Sequence, residues 1–249
     1  MTIQQQEQEH THPVIAVAAA LAHNGGIGYQ QDLPWKIPGD WEWFQKITTK
    51  AYINNIINND INNNNLFTKE INFSTPPSSP PPPPLEKEDD WHNVVILGRL
   101  TWESNPMQRK PLHNRHNIVV SGQSAYDVHA VDTFKNASLA QSLDKAIEQA
   151  KKLKKDTGRI FLLGGSQLYH LAIHQLACCT HILLTKIYHQ RQDENNLIEC
   201  DTFFPPIDLN RYRLASHHEL QQFVQEEVPS GLQSHDVFHY EFLLYVRRS

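Results

Sequence analysis

Only three cysteines occur in the 249 residues, Cys178, Cys179 and Cys200, and two of them are adjacent. No spaced disulfide framework is possible on that basis, and a reducing compartment is expected. No apolar run approaches membrane-spanning length, and the opening residues MTIQQQEQEHTH lack the apolar core of a signal peptide. These absences point to a soluble, cytoplasmic protein. A basic surplus is also missing, because the formal charge is −5. That argues against a general nucleic-acid or membrane-surface binder, yet leaves room for an anionic small molecule held by a few local arginines. The dinucleotide fingerprint G-x-G-x-x-G with its downstream acid is absent as well. GGIGYQ imitates it only superficially, since its glycines do not lead directly into a helix, so an ordinary Rossmann dehydrogenase is excluded. Hydrophobic residues are scarce at 39%, but the deficit falls in 1–12 and 50–92. One core with decorations is expected, not two domains.

What is present reads as strands alternating with helices. VIAVAAALA (14–22), NVVILG (93–98), HNIVVSG (116–122), RIFLLGG (159–165) and THILLTKI (180–187) are unbroken apolar runs of strand length. DWEWFQKITT places Trp41, Phe44 and Ile47 at helical spacing, and RLTWES reads as a short helix. SLAQSLDKAIEQAKKL (138–153) is expected as one amphipathic helix with Leu139, Leu143, Ala146, Ile147 and Ala150 on its apolar side, and SQLYHLAIHQL as another. DVFHYEFLLYVRR (236–248) alternates as a final strand or two, pairing with YRLASHHEL (212–220). The fold class is therefore α/β: a single domain with a central, mostly parallel twisted sheet, an antiparallel C-terminal edge and helices on both faces. Residues 1–12 are expected to be a disordered tail and 13–249 the domain. The domain is interrupted at about 50–92 by an asparagine- and proline-rich segment too polar to offset the entropy of ordering it. His170 and His174 lie four apart on one helix, but no third ligand follows in a matching pattern, so a solvated helix face is expected and no metal site.

Ligands of such sheets bind beyond the carboxyl ends of the strands. Two strand ends there carry glycine and then a helix start. In VVILGRLTWES, Gly98 precedes Arg99 and Thr101; in IFLLGGSQLY, Gly164 and Gly165 precede Ser166. Free backbone N–H groups at such turns suit phosphate oxygens, and Arg99 adds a cation. Either turn alone is weak evidence, but two together suit a ligand with several phosphates. Asp40 and Phe44, four apart, stack on one helix face. The carboxylate can accept two parallel hydrogen bonds from an aminopyrimidine edge, with Phe44 and Leu33 sandwiching the flat ring; the plainer alternative is that Asp40 caps its helix. Arg115, with Leu112 three residues earlier, offers a fork for a carboxylate, or else is an ordinary surface cation.

Together these stretches resemble dihydrofolate reductase, and DLPW and DTFFP resemble its eukaryotic branch. The motifs stand in the family's order: VAAALAHNGGIGYQQDLPW, DWEWFQKIT, VVILGRLTWES, PLHNRHNIVVS, IFLLGGSQLY, LLTKI and CDTFFP. The resemblance implies hydride transfer from NADPH to C6 of 7,8-dihydrofolate with protonation at N5, giving tetrahydrofolate for one-carbon metabolism. It also implies sensitivity to antifolate inhibitors and a cytoplasmic monomer. Asp40 matches the acid that grips the pterin, Thr185 its threonine partner, and Leu33, Trp41, Phe44 and Gln45 the pocket wall. Ala18, Ala19 and Leu163 would face the pterin through their backbone, and Leu112 and Arg115 would receive the benzoyl-glutamate tail. A water admitted near Trp35 and Leu33, not Asp40 itself, would bring the proton. Cofactor contacts are implied for Ala20, Ile27, Gly28 and Asp32, for Gly98, Arg99, Leu100, Thr101 and Ser104, and for Ser121 and Gly122. They are implied also for Gly164 and Gly165 as a cis-linked pair and for Ser166, Gln167, Leu168 and Tyr169. Residues 24–35 match a closing loop, and Asp201 the acid that braces it. Two positions depart from the pattern. Asn105 replaces an aliphatic residue and would make the tail pocket more polar, while Gly122 replaces a basic or polar contact, leaving NADPH preference to Arg99 and Ser121. Length is expected to leave no room for a fused thymidylate synthase. Two rivals stand beside this expectation: a reductase of the same fold acting on a pyrimidine intermediate of riboflavin synthesis, and a non-enzymatic binding protein organised around the proline run.

Overall fold

The computed structural model describes residues 13–52, 91–123, 131, 133–156, 158–190 and 198–248. The expectations for the 1–12 tail and for nearly all of the 50–92 segment lie outside the described residues. Successive side chains of a strand point to opposite faces, so a strand that is apolar at every position must be covered on both. β1 (Val14–Leu21) shows this directly. Ile15, Val17 and Leu21 enter one buried cluster, and Val14, Ala16 and Ala20 enter another on the opposite face. β3 (Asn93–Gly98), β4 (Arg115–Val120), β6 (Ile160–Leu162) and β7 (Cys179–His189) divide in the same way.

These strands pair in the order β7-β1-β6-β3-β4, all parallel, and β5 (Ala137–Ala140) extends the parallel edge. On the other edge β11 (Phe238–Arg247) runs antiparallel to β7 and carries β9 (Tyr212–Leu214) and β10 (Gln233–His235). The expected α/β architecture with its antiparallel C-terminal edge is what the chain adopts. A separate two-stranded ribbon joins β2 (Gly26–Gly28) to β8 (Thr202–Phe203). Helix α1 (Pro38–Thr49), the short α2 (Arg99–Glu103) and α5 (His217–Val224) bury Trp43, Ile47, Trp102, Leu220 and Val224 in the first cluster. Helices α3 (Leu143–Leu153) and α4 (Ser166–His170), the latter continued by a π-helical turn Leu171–Gln175, cover the second face.

Two local expectations are corrected, and in α1 the buried row and the capping residue are fixed. Residues 138–153 are not one helix: Ser138 and Leu139 pair with Ile118 and Val119 of β4, and the helix starts only at Leu143. The break falls at Ser142, whose hydroxyl accepts the Lys145 N–H as an N-cap, so sheet pairing overrides the helical spacing of Leu139. Likewise only Tyr212–Leu214 of the 212–220 segment pairs with β11, because Ser216 and Glu219 form a capping box that starts α5. In α1 the buried row is Trp43, Ile47 and Thr48, while Trp41 is 47% exposed. Asp40 does not cap that helix: Ile37 is the N-cap residue, Pro38 opens the first turn, and Asp40 lies inside it.

The chain leaves the described structure after Tyr52 and returns at Trp91, at the amino ends of the strands. Tyr52 is buried beneath Arg159, whose guanidinium lies 3.5 Å from the ring centroid, and Trp91 packs on His116 at 4.9 Å. Between them Asn93, fully buried, binds three strands of connectivity together. Its Nδ2 donates to the Thr48 and Lys50 carbonyls at 2.9 and 2.8 Å, and its Oδ1 accepts the Arg159 N–H at 2.8 Å. Replacing one member of a buried bonded group leaves its partners desolvated and unpaired, at about 1–3 kcal/mol each. Asn93→Leu, close in size, is therefore expected to lower stability by at least about 2 kcal/mol in urea unfolding at unchanged slope. A loss under about 0.5 kcal/mol would show that this node is dispensable.

Candidate active site

A cavity of about 1280 Å³ opens along the carboxyl ends of the parallel strands. Its lining runs from Thr185 on β7 through Ala18 on β1, Leu163 after β6, Gly98 on β3 and Val120 on β4 to Gln141 after β5. Six neighbouring strands at about 4.8 Å spacing give roughly 24 Å of length, enough for an extended ligand.

At the β1/β7 end, Asp40 projects from the first turn of α1 toward Thr185, which is 3% exposed and opposite Ala19 in the sheet register. Gly39 makes this approach possible, since a Cβ there would collide with the Tyr240 hydroxyl on β11. Burial pushes the Asp40 carboxyl up to about 6, and the hydrogen bond from Thr185 opposes the shift without cancelling it. Phe44, one turn along α1, lies 5.3 Å from Trp41, and both face the cavity with Leu33, Leu112 and Met107.

Arg115 lies below this end, 2% exposed at the start of β4. Its guanidinium donates to the Thr48 hydroxyl at 2.6 Å, the Gln45 side-chain carbonyl at 2.7 Å and the His113 carbonyl at 2.9 Å, and sits 5.6 Å from the Phe44 ring. Each of these bonded acceptors is neutral. Burial lowers its pKa only to about 10, so the cation persists at pH 7. It is no ordinary surface cation.

The β3/β6 end is built from the two glycine turns, which abut. The Gly98 N–H donates to the Gly164 carbonyl at 2.7 Å, and the Gly164–Gly165 peptide is cis. Gly164 has φ of +95°, and a side chain there would enter the Tyr169 ring. Arg99, Leu100, Thr101 and Ser104 line one wall and Gly165, Ser166, Gln167, Leu168 and Tyr169 the next, with Ser121 and Gly122 beyond. Arg99 is the single arginine or lysine of the lining among the described residues, and its Nη1 pairs with Glu103 at 2.8 Å. Glu103 also holds Arg109, at 3.3 Å.

The 24–35 loop supplies another part of the lining. Ile27, Gly28, Asp32 and Leu33 line the cavity, as do Tyr29, Gln30 and Gln31. Tyr29 and Asp32 exchange backbone hydrogen bonds at 3.0 and 2.9 Å around a tight turn. Its two central residues, Gln30 and Gln31, have φ of +49° and +63°. A left-handed conformation costs a side-chain-bearing residue roughly 1–2 kcal/mol, and glycine or asparagine usually occupies it. Asp201 holds the turn on one side, its Oδ2 accepting the Gln30 N–H at 2.9 Å.

Most of the residues singled out from the sequence thus line one cavity. Six do not. Ala20 and Trp35 are core residues, 4% exposed each, and Gly164 stands just behind Gly165. Gln45 and Arg115 are bonded to each other beneath the wall. Asn105 was expected at the tail pocket, but its side chain turns to the loop and donates to Asp32 at 3.2 Å. The lining also takes in Val17, Trp43, Leu97, Met107, Gln141 and Ser142, which the sequence reading passed over. For Gln141 and Ser142 the signal was the serine cap itself, masked by running 138–153 together as one helix.

The pH dependence of Asp40 has a definite sign. Between about pH 4 and 6 the folded chain keeps a proton that the unfolded chain has released, so this group's contribution to stability falls as pH rises through that window. The difference is up to roughly 3 kcal/mol, from two units at 1.36 kcal/mol each. Subtracting the Asp40→Asn stability profile from the wild-type profile should show that fall, and carboxyl infrared titration should place the group near 6. A carboxyl that ionises below about 4.5 would contradict the burial argument.

The family model for dihydrofolate reductase matches residues 14–54 and 86–235 of this chain. The dihydrofolate reductase of Candida albicans is 29% identical over 237 residues, covering 94% of this chain and 97% of that protein. The bifunctional dihydrofolate reductase-thymidylate synthase of Glycine max is 28% identical over 199 residues, 79% of this chain, which spans only 29% of that longer protein. Among solved structures, dihydrofolate reductase from Enterococcus faecalis, complexed with NADP(H) and RAB-propyl, superposes with a TM-score of 0.60 at 21% identity. That alignment covers 96% of this chain and 98% of the other.

Proposed function

The chain belongs to the dihydrofolate reductase family, and from that premise we propose that it reduces 7,8-dihydrofolate with NADPH to 5,6,7,8-tetrahydrofolate for one-carbon metabolism. The observation that carries this reading is a pair of desolvated charges held by α1: the Asp40 carboxyl against Thr185 in its first turn, and the Arg115 guanidinium beneath the wall beside Gln45 and Thr48, bonded to neutral acceptors in the contacts above. A buried cation without an ion-pair partner is costly. A ligand with an aminopyrimidine at one end and a carboxylate at the other offsets both desolvation costs at once, and dihydrofolate has that shape. Phe44 and Leu33 supply apolar faces for the ring, while Leu112 packs the linker.

The remaining length of the cavity fits a dinucleotide. Gly98 and Gly165 bring bare backbone to its wall, Thr101 and Ser166 add hydroxyls, and Arg99 is the lining cation for a phosphate. Bound there, NADPH supplies the hydride. The chain's own part is to align and exclude. Asp40 holds the pterin edge and favours its protonated form, since a carboxyl titrating near 6 is poised to share a proton at neutral pH. Its place in α1, away from where N5 would lie, leaves proton delivery to a water near Leu33 and Trp35. The Trp35 Nε1 donor is buried without a protein acceptor among the described residues. The 24–35 loop covers the reacting carbons and keeps bulk water out.

We further read the chain as a cytoplasmic monomer of the eukaryotic type that binds antifolates, with an asparagine- and proline-rich insertion at about 50–92. Among the described residues no helix is long and apolar enough to cross a membrane.

Steady-state oxidation of NADPH with dihydrofolate tests the reading. Asp40→Asn should fold and lose about two orders of magnitude or more in turnover; near-native activity would remove Asp40 from the mechanism. Arg99→Leu should raise the dissociation constant for NADPH far more than that for NADH, by fluorescence titration. Equal losses for the two cofactors would remove the 2′-phosphate assignment.

A further inference from the structure

Asn105 stands outside the cavity lining, yet it joins the cavity's two walls. On one side are the loop residues Tyr29 to Leu33; on the other are Leu100, Thr101, Ser104 and Met107, running out of α2. The Asn105 backbone N–H donates to the Gln31 carbonyl at 2.9 Å, and its side-chain Nδ2 donates to Asp32 Oδ2 at 3.2 Å. The other oxygen of that carboxylate accepts the Leu33 N–H at 2.8 Å. We propose that Asn105 is a positioning residue, a latch that holds the loop against α2 through Asp32 and so sets how long a dinucleotide stays bound.

The loop's own conformation makes a latch necessary. Gln30 and Gln31 are both left-handed without being glycine, so the turn tends to relax unless its surroundings fix it. It is fixed from opposite sides. Asp201 takes the Gln30 N–H on the β8 side, and Asn105 takes Gln31 and Asp32 on the α2 side. Loosening the Asn105 side frees the turn to swing on its β2–β8 base, parting the walls. Because the Asn105–Asp32 bond is solvent-exposed, it is weak enough to break in every turnover. An aliphatic residue at 105 would keep the backbone bond and lose the side-chain one. The latch is therefore a property of asparagine at this position.

The inference rests on the NADPH reading, and the experiment separates the two. Stopped-flow displacement gives the NADPH release rate, and single-turnover hydride transfer is measured beside steady-state kcat. Asn105→Leu should speed release about three- to tenfold, the equivalent of one net hydrogen bond. It should change the ratio of kcat to the single-turnover rate, which a general loss of packing would not. Asn105→Asp, which sets two carboxylates against each other, should speed release at least as much. The exchanged pair, Asn105→Asp with Asp32→Asn, restores an amide–carboxylate bond and should release NADPH more slowly than either single variant, as direct coupling of the two side chains requires. Unchanged release in Asn105→Leu, or no rescue in the exchanged pair, overturns the latch while leaving the reductase intact. A wild-type chain that binds no NADPH overturns both.

Discussion

Everything in this molecule follows from the direction of the parallel strands. Five adjacent strands, β7, β1, β6, β3 and β4, are apolar on both faces, so helices must cover both, and every loop that is free to carry polar chemistry is pushed to a strand end. Because the strands point the same way, their carboxyl ends form one row. A 1280 Å³ cavity along that row is a consequence of topology before any side chain is considered. Asp40 comes to Thr185 from a helix between β2 and β3, whose Gly39 lies where a Cβ would meet the Tyr240 hydroxyl of β11.

Charge is used sparingly at this site. Among the described residues, the lining holds one arginine, Arg99, already paired with Glu103, and three acids, Asp32, Asp40 and Asp201. Asp32 and Asp201 are engaged in holding the loop, and burial raises the Asp40 carboxyl. The buried Arg115 stands behind the wall with its donors presented by Gln45 and Thr48.

The periodicity of the apolar runs was enough to read the sheet, its direction and its antiparallel edge, because each run is buried on two faces and carries no competing signal. The reading broke where two signals overlapped. Leu139 fits a helical row, and the serine cap at 142 was the only local mark that the helix starts later. The same weakness hid Ser142 and Gln141 from the list of cavity residues. Asp40, Leu112, Thr101 and Gly165 were legible because each sits at or beside a glycine, proline or helix start, and Phe44 because it follows Asp40 by one turn of α1. Asn105 was not, since its partner Asp32 is 73 residues away and nothing local records that separation.

The Asn93 node gives the chain a load path. A weight hung on the chain between Tyr52 and Trp91 pulls first on the Asn93 amide and the Thr48 carbonyl, and the Thr48 hydroxyl carries that pull to Arg115. Gly98, by contrast, is anchored at the far end of β3, roughly 17 Å off by five rises of about 3.3 Å. Mechanical tension at this port would therefore reach the Arg115 guanidinium before the Gly98–Gly164 turn. A bulky passenger grafted there would disturb the Arg115 end of the site while leaving the paired glycine turns at the far end of β3 in place.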